Sequence, residues 1–260
     1  MREAARPEVV VALLTPFAPD DTVDHSALEA HLDFLLESGV DAVMPAGTTG
    51  EGPLLDDSEL LALIRSVVAK VDGRARVVAH VGRPGTAATA GLVLQAFELG
   101  ADAVSAVVPY YYALPDEALL GHYQALLRAA LGRDLYAYTI PARTGNELST
   151  DVVRALGTEG LRGVKDSTKS WERHLEYLGC GVDVLIGTDS LVVDSFRAGS
   201  SGCVSALANV RPGLLCRARD GEDVQDELSQ LRDRLPFREL KRELSRAVEG
   251  YPFGYRAPLG

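Results

Sequence analysis

Lys165 closes an apolar run, Leu161-Arg162-Gly163-Val164-Lys165, and stands directly before Asp166-Ser167-Thr168. An amine at the end of a buried strand loses its hydration. That favours the neutral form and makes it a nucleophile for a carbonyl carbon. The competing reading is an ammonium paired with Asp166 or another acid at the strand end, and these residues alone leave both open. The chain has only four lysines, and the other three read as solvated. Lys70 lies at the polar end of Val67 to Asp72, Lys169 follows a turn, and Lys241 belongs to the charged stretch Arg238 to Glu243.

Further chemistry-bearing residues follow other apolar runs. Gly47-Thr48-Thr49-Gly50-Glu51 combines glycines that let a backbone approach closely with hydroxyls and amides that hold a carboxylate. Pro109-Tyr110-Tyr111-Tyr112 supplies phenols, as does Tyr138, which precedes Pro141-Ala142-Arg143-Thr144-Gly145. Gly187-Thr188-Asp189 adds a carboxylate. Taken singly, the tyrosines also read as an aromatic wall and Arg143 as a structural ion pair. Together they describe a pocket with an amine nucleophile, phenol and hydroxyl proton carriers, and a cation for a carboxylate. The five histidines form no ligand pair at helical or hairpin spacing, so no metal site is expected, and His80 reads as a packing residue.

The elements that must position these groups are visible as eight short apolar runs. They are Val9 to Leu14, Val40 to Pro45, Arg76 to Val81, Ala103 to Val108, Leu135 to Ile140, Leu161 to Lys165, Val182 to Ile186 and Gly202 to Ala206. Helix-period stretches lie between them, and Gly39, Gly100 and Gly199 close three of these. Near-continuous apolar strands alternating with helices predict a parallel sheet covered on its outer face, and the count of eight predicts a closed (β/α)8 TIM barrel. A doubly wound open sheet is less favoured, because no Gly-x-Gly-x-x-Gly turn follows the first run. The barrel is expected over residues 1–212. Residues 213–260 are expected to form a short helical appendix packed on it, with helices over Gln225 to Leu235 and Phe237 to Val248.

Composition narrows the function classes. With 26 Lys plus Arg against 37 Asp plus Glu, the net charge of −11 argues against nucleic-acid or acidic-membrane partners. Cys180, Cys203 and Cys216 form no Cys-x-x-Cys pair and read as small buried hydrophobes of a reducing compartment. No signal-peptide pattern follows Met1, so a cytoplasmic location is expected.

The motifs, in order and at barrel spacing, resemble the dihydrodipicolinate synthase and N-acetylneuraminate lyase family of class I pyruvate-dependent aldolases. The match runs from Thr15-Pro16-Phe17 through Gly47 to Glu51, Pro109 to Tyr111, Tyr138 to Gly145, Gly163 to Asp166, Gly187 with Asp189, and Gly202 to Asn209. It ends at Arg256-Ala257-Pro258-Leu259. The resemblance implies that Lys165 forms a Schiff base with pyruvate or another 2-oxo acid and that Tyr138 shuttles protons. It further implies that Thr48 links Tyr138 to Tyr111, which a partner subunit donates. Thr49, Gly187 and Val204 would line the substrate site, and Arg143 would hold the carboxylate of an aldehyde such as aspartate semialdehyde. No cofactor is implied, and the expected assembly is a homodimer or homotetramer. The chain departs from the family at Thr139, where asparagine is usual, and at Leu60. Arg83 to Ala88 lacks the polar residues of a lysine-effector site, and the carboxyl-terminal region is shorter than usual. Dihydrodipicolinate synthase-like condensation is the leading expectation. A sugar-acid or N-acetylneuraminate aldolase and a dehydratase are alternatives, and a non-catalytic 2-oxo-acid-binding barrel is the contrasting class.

Overall fold

In the computed structural model, which describes residues 6–259, eight parallel strands close into a barrel in sequence order. They are β1 (Glu8–Ala12), β2 (Ala42–Met44), β3 (Arg76–His80), β4 (Ala103–Val107), β5 (Leu135–Thr139), β6 (Gly163–Asp166), β7 (Asp183–Ile186) and β8 (Gly202–Ser205). Strand β8 returns to β1 with Val10 opposite Val204, so the sheet has no open edge. Alternation along each strand divides the side chains between two cores. Val10, Ala12, Met44, Tyr136 and Val204 fill the barrel interior, whereas Val9, Val11, Val43 and Val164 face the helices. Each fully buried Val or Leu contributes about 1.5–3 kcal/mol relative to exposure.

The surrounding helices are α1 (His25–Glu37), α2 (Asp57–Val71), α3 (Thr86–Glu98), α4 (Asp116–Ala130), the single turn α5 (Pro141–Thr144), α6 (Thr150–Thr158), α7 (Trp171–Leu178), α8 (Val192–Arg197) and α9 (Pro212–Arg219). Local chemistry sets their starts. Asp56 and Glu59 form a reciprocal capping box on α2, and Asp24, Ser149 and Ser170 cap α1, α6 and α7. Gly39, Gly100 and Gly199 adopt φ of 76°, 96° and 99° after three helices, the left-handed conformation that glycine takes without strain.

One expectation about the carboxyl-terminal part needs adjustment. Helix α9, which begins at Pro212, packs on β1. The Phe237 to Val248 stretch is a 3-10 turn (Phe237–Glu239) followed by the short α11 (Leu240–Leu244), while α10 (Gln225–Arg234) matches its expected span within one residue. Helix α10 packs against the turn Asp189–Leu191 beyond β7, which brings the carboxyl-terminal region over the end of the barrel where the strands finish. Among the described residues no helix is long and apolar enough to cross a membrane.

Candidate active site

Strands β5 and β6 pair with the Cα of Tyr138 opposite that of Lys165, and strand alternation turns both side chains inward at the carboxyl end of the barrel. Lys165 is buried, with its Nζ 3.9 Å from the centroid of the Tyr138 ring and 3.7 Å from Met44 Sδ. Burial pushes the amine below the ordinary lysine range, and Tyr138 opposes that shift. The alternation also disposes of the ion-pair reading with Asp166, whose side chain points the other way. Its Oδ2 bonds His174 Nδ1 at 2.9 Å, and its Oδ1 accepts from the Thr168 amide and hydroxyl at 2.8 and 2.7 Å.

Thr48 Oγ1 lies 3.3 Å from the Tyr138 hydroxyl, so the amine, the phenol and the threonine form a continuous row. Thr48 and Thr49 sit in a tight loop between Ala46 and Gly52. Ala46 and Glu51 hold left-handed φ of 59° and 57°, and the Gly52 amide donates to the Gly47 carbonyl at 3.0 Å. A Cβ on Gly52 would stand 1.7 Å from the Ala46 carbonyl oxygen, so only glycine permits this closure. The constraint at Gly187 is looser, since a Cβ there would meet the rotatable Ser167 hydroxyl and stand 3.0 Å from the Asp166 carbonyl oxygen.

Lys165, Tyr138, Thr48, Thr49, Arg143, Gly187 and Val204 all line one cavity of about 580 Å³. Val204 belongs to its apolar floor. Arg143 rises from α5 at the rim, exposed, and among the described residues no ion pair holds it. Tyr111 is the residue not brought in. It is 85% exposed at φ 84°, packs edge-on against Tyr112, and does not line the cavity, so a single chain leaves the Thr48–Tyr111 link unmade. His80 packs edge-on against Tyr138 with ring centroids 5.8 Å apart. Burial lowers its pKa to about 3, which keeps it neutral.

Several lining residues were not singled out by sequence reasoning. Ser167 and Lys169 follow β6, and Lys169, although exposed, lines the cavity rather than open surface. Arg232 and Phe237 come from the carboxyl-terminal region, where the charged sequence carried no sign that it reached the barrel mouth. Asp189 is buried, accepts from Ser205 Oγ at 2.5 Å, and lies 3.9 Å from Arg232. Burial raises its pKa. Lys241 is the clearest correction. It is not solvated but fully buried, with its Nζ 2.6 Å from Glu51 Oε1. Among the described residues no group of three or more His, Cys, Asp or Glu side chains is arranged to hold a metal ion.

Both the sequence and the fold of this chain are similar to those of proteins of known family. The dihydrodipicolinate synthetase family model matches residues 6–226. An uncharacterized DapA-like lyase of Halobacterium salinarum is 37% identical over 260 residues, covering 97% of this chain and 83% of its own. The 4-hydroxy-tetrahydrodipicolinate synthase of Methanothermobacter thermautotrophicus is 35% identical over 216 residues, covering 80% of this chain and 76% of its own. The crystal structure of dihydrodipicolinate synthase from Aquifex aeolicus superposes with a TM-score of 0.88 at 30% identity, over 98% of this chain and 92% of that one.

Proposed function

The chain belongs to the dihydrodipicolinate synthetase family and is a lyase of the class I aldolase type, and from that premise we propose that it condenses pyruvate with a carboxylated aldehyde of the aspartate-semialdehyde kind. The observation that carries this reading is the desolvated Lys165 amine 3.9 Å above the Tyr138 ring, with Thr48 at 3.3 Å from the phenol.

Neutral Nζ adds to the keto carbon, and the resulting carbinolamine loses water as Tyr138 delivers a proton to the departing hydroxyl. The product is a protonated imine, which draws electrons from the adjacent methyl. Tyr138, now a phenolate, takes a methyl proton to give an enamine. As the enamine carbon attacks the aldehyde, the phenol returns that proton to the aldehyde oxygen. Water then adds to the imine, releases the product and regenerates the amine. Thr48 and Thr49 hold the 2-oxo-acid carboxylate, and Gly187 and Val204 bound the space beside it. Arg143 at the rim grips the carboxylate of the aldehyde. Tyr111 reaches the relay from a second copy of the chain, which makes the working enzyme a homo-oligomer.

A second reading is supported by the wall opposite. Thr188, Asp189 and Ser190 line the cavity and offer partners to a polyhydroxylated chain, as a sugar-acid aldolase needs. Arg143→Ala separates the two. For condensation with a carboxylated aldehyde, kcat/KM should fall roughly 10- to 100-fold, the scale of a lost charge-assisted hydrogen bond, while imine formation with pyruvate persists. Equal handling of carboxylated and neutral aldehydes by parent and variant would transfer the assignment to the sugar-acid reading.

A further inference from the structure

We propose that Lys241 is a positioning residue for the loop that receives the 2-oxo-acid carboxylate, and that the carboxyl-terminal segment Tyr251 to Arg256 holds it there. The proposal rests on Thr48 and Thr49 being that receiving loop.

Glu51 links that loop to the carboxyl-terminal segment. It follows the Thr48-Thr49-Gly50 turn directly, its amide donates to the Thr48 carbonyl at 3.3 Å, and its backbone is held at φ 57°. A non-glycine residue stays in that sparsely populated region only when its surroundings over-determine it. Both carboxylate oxygens of Glu51 are engaged from the far end of the chain. Oε1 accepts from Lys241 Nζ at 2.6 Å, and Oε2 accepts from the Arg256 amide at 2.9 Å. The Lys241 and Glu51 side chains are both fully buried.

The lysine is itself placed by the terminal segment. Its Nζ also donates to the Gly254 carbonyl at 2.8 Å and lies 4.4 Å over the Tyr255 ring and 4.6 Å over the Phe17 ring. Arg256 ties the same segment to α2 through Glu59, at 2.7 and 2.8 Å. Tyr255 donates its hydroxyl to the Phe237 carbonyl at 2.6 Å, and Phe237 lines the cavity, so one segment fixes two walls of the site.

Stability alone is a poor reason for such an arrangement. A buried ion pair is often no more stabilising than apolar side chains of the same volume, because two charges must be stripped of water. What the pair adds is direction: an apolar residue in place of Lys241 would leave the Glu51 carboxylate, and with it the turn that presents Thr48 and Thr49, held by the Arg256 amide alone.

The test compares the full-length parent with Lys241→Met, Glu51→Gln and the double variant. One reading is the pyruvate concentration giving half-maximal borohydride trapping, and the other is hydrogen exchange at the Glu51 and Gly52 amides. Lys241→Met should raise the half-saturating concentration tenfold or more and speed exchange at those amides. Added to Glu51→Gln it should change either reading little, because it acts through Glu51. Should Lys241→Met fail to fold, Glu51→Gln, which keeps the side-chain volume, decides by the same two readings. A half-saturating concentration within twofold of the parent, or unaltered exchange, in a folded variant overturns the proposal. If the parent itself yields no adduct, the proposed function has failed, and the exchange measurement still decides the role of Lys241.

Discussion

At the scale of single residues, the site depends on one amine being in an unfavourable place for a charge. Lys165 is buried with no carboxylate paired to it among the described residues, and its neighbour Asp166 is committed to His174 and Thr168 on the other face of β6. Its folded pKa is lowered while the unfolded value is about 10.4, so between the two the unfolded state binds the extra proton. The cost to stability is therefore complete below the folded pKa, shrinks as pH rises between the two values, and is gone above the ordinary lysine value. Lys165→Met should melt above the parent at neutral pH, by roughly 2–4 °C for each 1 kcal/mol relieved, with the gap closing toward pH 10. Thermal scans across pH check this, and a variant that melts below the parent at neutral pH would contradict it. Lys165 was legible in the sequence because the apolar run around it reports burial directly. Lys241 was not. Its neighbours are charged, its partner Glu51 lies 190 residues away, and its burial is created by a terminal segment that no local pattern links to it.

At the scale of elements, the eight apolar runs and the eight strands coincide, because parallel strands covered on both faces leave little room for polar residues. The runs overshoot the strands where burial continues past the last ladder bond. Leu13 and Leu14 are almost wholly buried although β1 ends at Ala12. Shorter elements were less visible. Helix α5 has four residues, too few to display a period, yet it carries Arg143. Helix α9 begins at Pro212, a residue suited to a first helical turn, but its arginines merged with the charged sequence that follows. Leu240, Leu244 and Val248 keep helical spacing and are all buried, and this made one long helix the natural expectation although regular helix stops at Leu244.

At the scale of the whole molecule, the barrel assembles every proposed site residue except Tyr111. That exception follows from topology: the loop after β4 carries Tyr111 and Tyr112 outward as an exposed aromatic pair, and motif spacing alone does not distinguish a residue facing the chain's own cavity from one facing another copy's. If Tyr111 serves a partner, two inactive variants should repair one another. Tyr111→Phe and Lys165→Ala, each nearly inactive alone, should regain roughly a quarter of parent turnover when unfolded and refolded together as dimers, because half the random pairs are hybrids with one intact site. Turnover no higher than the sum of the separate variants would show that Tyr111 is not donated by the partner.

Lys165, and no other lysine, should carry the substrate. Parent protein treated with pyruvate and borohydride should gain one reduced adduct per chain by intact mass, mapped by peptide analysis to Lys165, and Lys165→Ala should gain none. An adduct on Lys70, Lys169 or Lys241, or an undiminished adduct in Lys165→Ala, would show that another residue carries the substrate.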